Sequence, residues 1–209
     1  MSDKTGRGKI FKCIGASNHT DDIRDKLDFY ATHPIAADLL MGVEHFKGLI
    51  WEPAVGNGHL ATQLKKKYKV FCSDIIKRKY NCLEIDFLNL NKGIKNLPIN
   101  IITNPPYEFA KNFIEQGLNI IADDYKICMF LKLTFCEGKK RKNLFLNNPP
   151  HTIYVSSTRI QVAKGGDFNY YKEKGGSAVC YAWFVWVKGF RGDPIIKWFN
   201  LQSIPDSLF

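Results

Sequence analysis

Asn104-Pro105-Pro106-Tyr107 follows directly on the apolar run Ile99-Asn100-Ile101-Ile102-Thr103. A short apolar run stopped by two prolines reads as a buried strand that ends abruptly, because proline brings no N–H to a ladder and fixes its own φ. Pro105 also drives Asn104 away from helical backbone. A carboxamide and an aromatic ring are therefore held on a stiff turn at the carboxyl end of a strand, the edge at which open α/β sheets bind ligands. The Asn104 side-chain oxygen and the Pro105 carbonyl are acceptors suited to an amino group, and Tyr107 offers a face to a planar ring. The pattern fits a site for the exocyclic amine of a flat heterocycle.

A second set of residues calls for a nucleoside. Glu52-Pro53-Ala54-Val55-Gly56-Asn57-Gly58 follows the apolar Leu49-Ile50-Trp51 and opens a helical pattern through Leu60 and Leu64. Glycines in such a turn let backbone approach a ligand closely. Asp74 ends the next strand, Val70-Phe71-Cys72, and an acid about 20 residues beyond a glycine turn commonly accepts hydrogen bonds from ribose hydroxyls. Asp86 ends a third, shorter strand over Cys82-Leu83-Glu84-Ile85, where it can accept from an adenine amino group while Phe87 packs on the ring. Acids at three successive strand ends imply a nucleoside cofactor with free ribose hydroxyls. The dinucleotide fingerprint's third glycine is missing, so no pyrophosphate is called for.

The elements that must position these residues alternate. Helical spacing runs from Pro34 through Ile35, Leu39, Leu40 and Val43, again from Phe109 through Phe113, Ile114 and Leu118, and over residues 138–146. Further strands are expected at Ile127-Cys128-Met129-Phe130-Leu131, at Thr152-Ile153-Tyr154-Val155 and in the aromatic-rich run 179–187, whose rings suit a sheet core. Strands alternating with helices indicate a mostly parallel, doubly wound α/β sheet. Residues 1–26 are polar and aperiodic and read as an irregular arm, leaving 27–209 as one domain, a length that one core can serve. The glycine-rich stretch 164–176 exceeds a normal connection and is a candidate functional loop.

Thirty basic against twenty acidic residues give a net charge of +10, which favours a polyanionic partner over an acidic protein or a neutral metabolite. Candidate contacts are the Lys139-Lys140-Arg141-Lys142 cluster at a helix start, Arg159, and Lys164, Lys172 and Lys174 interleaved with Phe168, Tyr170 and Tyr171. The six cysteines form no C-x-x-C pair and read as reduced thiols of a cytoplasmic protein, with Cys72, Cys82, Cys128 and Cys180 in the core. Scattered histidines offer no zinc set, so no metal is expected, and no stretch is apolar enough to span a membrane.

In their order along the chain these pieces resemble the small S-adenosylmethionine-dependent DNA N6-adenine methyltransferases of phages and prophages. Phe29-Tyr30-Ala31-Thr32-His33-Pro34 resembles the family's segment that meets the methionine end of the cofactor, although Ala31 and His33 depart from the residues usual there. Residues 52–58 resemble its glycine loop, Asp74 and Asp86 its ribose and adenine acids, and Asn104 to Tyr107 its catalytic tetrapeptide; 137–142 and 181–186 also look like the phage subgroup. The resemblance spans roughly residues 28–200. It implies a class I, Rossmann-like methyltransferase fold with a seven-stranded sheet and S-adenosylmethionine as cofactor, yielding S-adenosylhomocysteine. Carried over, Tyr30, Thr32, Glu52, Pro53, Ala54, Gly56, Gly58, Asp74, Asp86 and Phe87 would hold the cofactor, and Asn104, Pro105, Pro106 and Tyr107 would serve catalysis. The implied setting is the cytoplasm of a bacterium or phage-infected host, and the implied partner is DNA. RNA adenine or a protein glutamine would meet the same acceptors, and a non-catalytic DNA- or protein-binding module is a further alternative. Cytosine N4 methylation fits less well, since Ser more often stands where this chain has Asn104.

Overall fold

The computed structural model describes residues 30–164, 168 and 179–199. In chain order the elements are β1 (Tyr30–Thr32), α1 (Ile35–Val43), β2 (Leu49–Glu52), α2 (His59–Leu64), β3 (Val70–Asp74), β4 (Leu83–Glu84), β5 (Ile99–Thr103), α3 (Ala110–Ile120), β6 (Lys126–Lys132), α4 (Lys142–Asn147), β7 (Thr152–Val155), β8 (Val162–Lys164), β9 (Tyr181–Val187) and β10 (Ile195–Trp198). Among the described residues eight strands form one sheet in the order β10-β7-β9-β6-β5-β2-β3-β4, and β1 and β8 form a separate antiparallel ribbon. Among the described strands of the large sheet, only β9 runs against its neighbours, β6 and β7. The mostly parallel sheet agrees with the sequence reading. The strand count does not: β10 extends the sheet beyond the seven strands expected.

Burial on both faces explains the continuous apolar runs. Along β6, Cys128 and Phe130 face a cluster with α1, Trp183 and Tyr181, whereas Ile127, Met129 and Leu131 face one with α3, Phe184 and Trp186. The aromatic run of β9 is core, as its composition suggested. Its indoles satisfy their N–H groups internally: Trp183 Nε1 donates to the Ala36 carbonyl at 2.7 Å and Trp186 Nε1 to the Asn148 carbonyl at 3.0 Å. Under the amino end of the sheet, Glu44 binds Lys126 at 2.5 Å and accepts from the Tyr154 hydroxyl at 2.7 Å.

Four readings need correction. The third strand is only two residues, Leu83–Glu84, and stops before Asp86. Residues 138–146 are not one helix: Lys139–Arg141 form a 3₁₀ turn that leads into the six-residue α4. Cys180 is exposed, as is Cys136, while Cys72 and Cys128 are buried. The phenylalanine spacing from residue 109 begins in a 3₁₀ turn over Tyr107–Phe109, and α3 proper starts at Ala110.

The order of strands reverses between β2 and β5, so connections leave this point in opposite directions and open a crevice at the carboxyl edge. Glu52, Asp74 and Thr103 are the last residues of β2, β3 and β5 and are all buried.

Candidate active site

That crevice is a cleft of about 340 Å³, in the range of small-ligand sites, lined from the ends of β1 to β5. Residues from all three sequence sets meet there: Tyr30 and Thr32, Glu52, Pro53 and Ala54, Asp74, Asp86 and Phe87, and the whole of Asn104 to Tyr107.

The catalytic candidate is fixed from one side. Asn104 Nδ2 donates to the Tyr30 carbonyl at 3.1 Å. A carbonyl only accepts, so the amide must turn its NH₂ to Tyr30 and its oxygen the other way. Asn104 Oδ1 is buried and has no hydrogen-bond partner among the described residues. A buried acceptor left unmade costs stability, and this one stands open to a donor entering the cleft. Pro105 is buried, and Pro106 leads into the 3₁₀ turn that carries Tyr107. The Tyr107 ring lies 6.1 Å from those of Tyr30 and Tyr181, with the Lys132 ammonium 4.7 Å from its centroid.

The glycine turn is built around Asp74. Gly56, at φ 55°, donates its N–H to Asp74 Oδ2 at 2.8 Å, and Ile76 N–H reaches Oδ1 at 3.1 Å. Each carboxylate oxygen keeps a free lone pair, as two hydroxyl donors require. Gly58 departs from the sequence reading. Its φ of 81° suits glycine, yet what approaches it is the Tyr80 ring, 2.0 Å from where a Cβ would stand. Neither Gly56 nor Gly58 lines the cleft; they shape the loop that does. Asp86 caps the turn Phe87–Asn89, accepting from Leu88 N–H at 3.0 Å and Asn89 N–H at 3.3 Å, and from Asn89 Nδ2 at 2.6 Å. Phe87 is 2% exposed, set at a steep angle to the Trp51 ring and stacked on Phe113.

Glu52 Oε2 and Thr32 Oγ1 are also buried without partners among the described residues. Burial first, then the Asp74 charge, hold the Glu52 carboxyl well above its ordinary value of 4.5. The folded chain therefore keeps this proton above pH 4.5 while the unfolded chain loses it. Stability contributed by that proton falls as pH rises from 4.5 through the raised value. Glu52→Gln is expected to remove this slope, flattening melting temperature against pH over that window; a profile unchanged from wild type would contradict the assignment.

The basic candidates are less united. Lys139, Lys140 and Lys142 are exposed, as is Arg159 in the loop between β7 and β8. Arg141 is tied inward: its guanidinium donates to the Glu137 and Thr134 carbonyls and lies over the Phe135 ring at 4.7 Å. Lys164 ends β8. Lys172, Lys174, Tyr170 and Tyr171 lie outside the described residues, as do the arm 1–26 and Cys13. Phe168 meets His33 at 5.0 Å and His59 at 5.6 Å, both edge-on. Sequence reasoning missed His59, Ile75, Arg78 and Phe109 as cleft residues. His59 and Phe109 carried a signal, since they follow Gly58 and Tyr107 by one and two positions. Among the described residues no helix is long and apolar enough to cross a membrane, and no group of three His, Cys, Asp or Glu could hold a metal.

No family model matches the chain, and no curated protein does. Solved structures do. A predicted O-methyltransferase from Agrobacterium tumefaciens is 12% identical over 80% of this chain and 86% of its own, with TM-score 0.56. A provisionally assigned RNA methyltransferase from Pyrococcus horikoshii is 14% identical over 88% and 100%, with TM-score 0.54. A provisionally assigned class I S-adenosylmethionine-dependent methyltransferase from Listeria monocytogenes is 15% identical over 94% and 73%, with TM-score 0.50. At such identities the likeness is one of architecture: the chain has the class I methyltransferase fold.

Proposed function

We propose that this chain transfers a methyl group from S-adenosylmethionine to the N6 amino group of adenine in DNA. The observation that carries the reading is the Asn104 amide: tethered through Nδ2, it leaves a buried, unpartnered Oδ1 at the cleft. An amine that brings its own N–H is the complement of that oxygen.

The residues present fit the cofactor. Asp74, with lone pairs to spare, suits a ribose; the unpartnered oxygens of Glu52 and Thr32 suit hydroxyl or ammonium donors; Asp86 and Phe87 bound the far end of the cleft. When bound, the cofactor supplies an electrophilic methyl carbon on a sulfonium. The chain's part is to make the acceptor nitrogen nucleophilic and aim it. An adenine amine is a poor nucleophile because its lone pair is delocalised into the ring. Asn104 Oδ1 and the Pro105 carbonyl, accepting from its two N–H groups, draw the nitrogen toward tetrahedral geometry and free that lone pair. Tyr107 packs the base; such stacking is worth about 1–3 kcal/mol, comparable with the few kcal/mol that unstacking a base costs. Orientation then supplies the rest. No general base is assigned, since the methylated amine is acidic enough to release its proton to water.

The net charge of +10, with Lys139, Lys140, Lys142 and Arg159 exposed, supports a polyanionic substrate. Incubation with methyl-labelled cofactor and DNA, RNA or protein, followed by nucleoside and amino-acid analysis, tests the reading. N6-methyladenine in DNA is expected. Label confined to RNA or to glutamine would overturn the DNA substrate, and no transfer to any of the three would overturn the activity.

A further inference from the structure

Lys132 closes β6, the neighbour of β5, and its ammonium sits over the Tyr107 ring at 4.7 Å. Among the described residues no carboxylate lies within ion-pair distance of it, whereas Lys126, at the other end of the same strand, is paired with Glu44. Across the β6–β9 ladder Lys132 stands opposite Tyr181, whose ring stacks on Phe130 at 5.4 Å and lies 6.1 Å from Tyr107. The register thus brings one half-buried cation to the aromatic wall that flanks the Asn104 acceptor. A ring quadrupole is a modest partner for an ammonium, and an anion is a better one.

We propose that Lys132 takes a backbone phosphate beside the target base and so selects a nucleotide within a polymer over a neutral amide. The inference rests on the adenine-methylation reading and names the feature of the substrate that a cation beside the cleft-lining Tyr107 recognises. A glutamine side chain would satisfy the acceptors at Asn104 and Pro105 but brings no negative charge to Lys132. A nucleotide brings both, and an ammonium drawn to its phosphate leaves the Tyr107 ring to the base. The tetrapeptide reads the amine, and Lys132 reads the polymer.

The test compares the wild type with Lys132→Met, which keeps an unbranched side chain one atom shorter and removes its charge. Affinity for an adenine-containing DNA duplex is measured by anisotropy over a salt series, and cofactor affinity by calorimetry. The expected result is several-fold weaker duplex binding, a log–log salt slope shallower by about 0.9, and a raised KM for DNA. Cofactor affinity stays at the wild-type value, and Lys132→Arg restores the slope. Wild-type affinity and slope in Lys132→Met would overturn the proposal; so would a parallel loss of cofactor affinity, which marks a structural role. A wild type that methylates adenine while Lys132→Met binds DNA equally well sinks only this inference. A wild type that binds DNA with the expected slope but leaves its adenines unmodified sinks the adenine reading and leaves the Lys132 contact standing. No duplex binding by the wild type overturns both.

Discussion

Asn104→Ala is expected to lower the methyl-transfer rate by about 10²–10³-fold or more, the usual cost of removing one preorganised hydrogen-bonding group from a transition state. Two features set the size of the effect. The alanine methyl cannot accept from the amine, and the tether to the Tyr30 carbonyl is lost with the amide. Asn104 is not part of either large apolar cluster, so the fold and the cofactor pocket should survive. Single-turnover transfer and calorimetric cofactor binding on one preparation check both halves. A rate within tenfold of wild type would remove Asn104 from the chemistry. An equal collapse of cofactor affinity would move it to the cofactor's side of the cleft.

Gly58→Ala carries the largest expected effect on stability. The new Cβ would stand 2.0, 2.2 and 2.6 Å from three atoms of the Tyr80 ring, closer than any real contact, at a φ of 81°. Left-handed backbone costs an L-residue about 1–2 kcal/mol. Overpacking a filled site adds roughly 1–3 kcal/mol. Together they should lower the melting temperature by roughly 5–15 °C in a chain of this length. Tyr80→Ala placed in the Gly58→Ala background should recover the overpacking share but not the backbone share, a non-additivity expected of residues in contact. Additive losses would show that the ring and the glycine do not share their space. The loop's other end would feel the change too, because Gly56 and Asp74 are joined through it.

Much of this site was legible because strand ends are where local chemistry and long-range placement coincide. Ile99–Thr103 reads as a buried strand from its own residues, and the prolines after it state where it stops. The same holds for Glu52 and Asp74, the last residues of β2 and β3. What stayed hidden was set by partners distant in sequence. The pairing of Tyr30 with Lys164 and of Thr32 with Val162 joins two three-residue segments with too few positions for a period to emerge. Nothing local announces that the Tyr30 carbonyl would hold Asn104. Gly58 shows the converse: its conformational demand was readable, but whether a ligand or Tyr80 would use the space was not. Lys132 ends an apolar strand like any solvated lysine, and only the pairing of β6 with β5 and β9 brings it beside Tyr107 and Tyr181. β10 was missed because all four of its residues are exposed, so the strand carries no alternation of apolar and polar positions.

The antiparallel course of β9 between β6 and β7 constrains how the chain can be made. Among the described residues of the large sheet, β7 is hydrogen-bonded only to β9 and β10, both of which are translated after it. During synthesis the segment before β7 can assemble from β2 to β6, while β7 must wait for residues 181–187 to leave the ribosome. β9 and β10 therefore complete the platform, and a nascent chain stalled before them would display an unpaired edge at β6, the strand whose end carries Lys132.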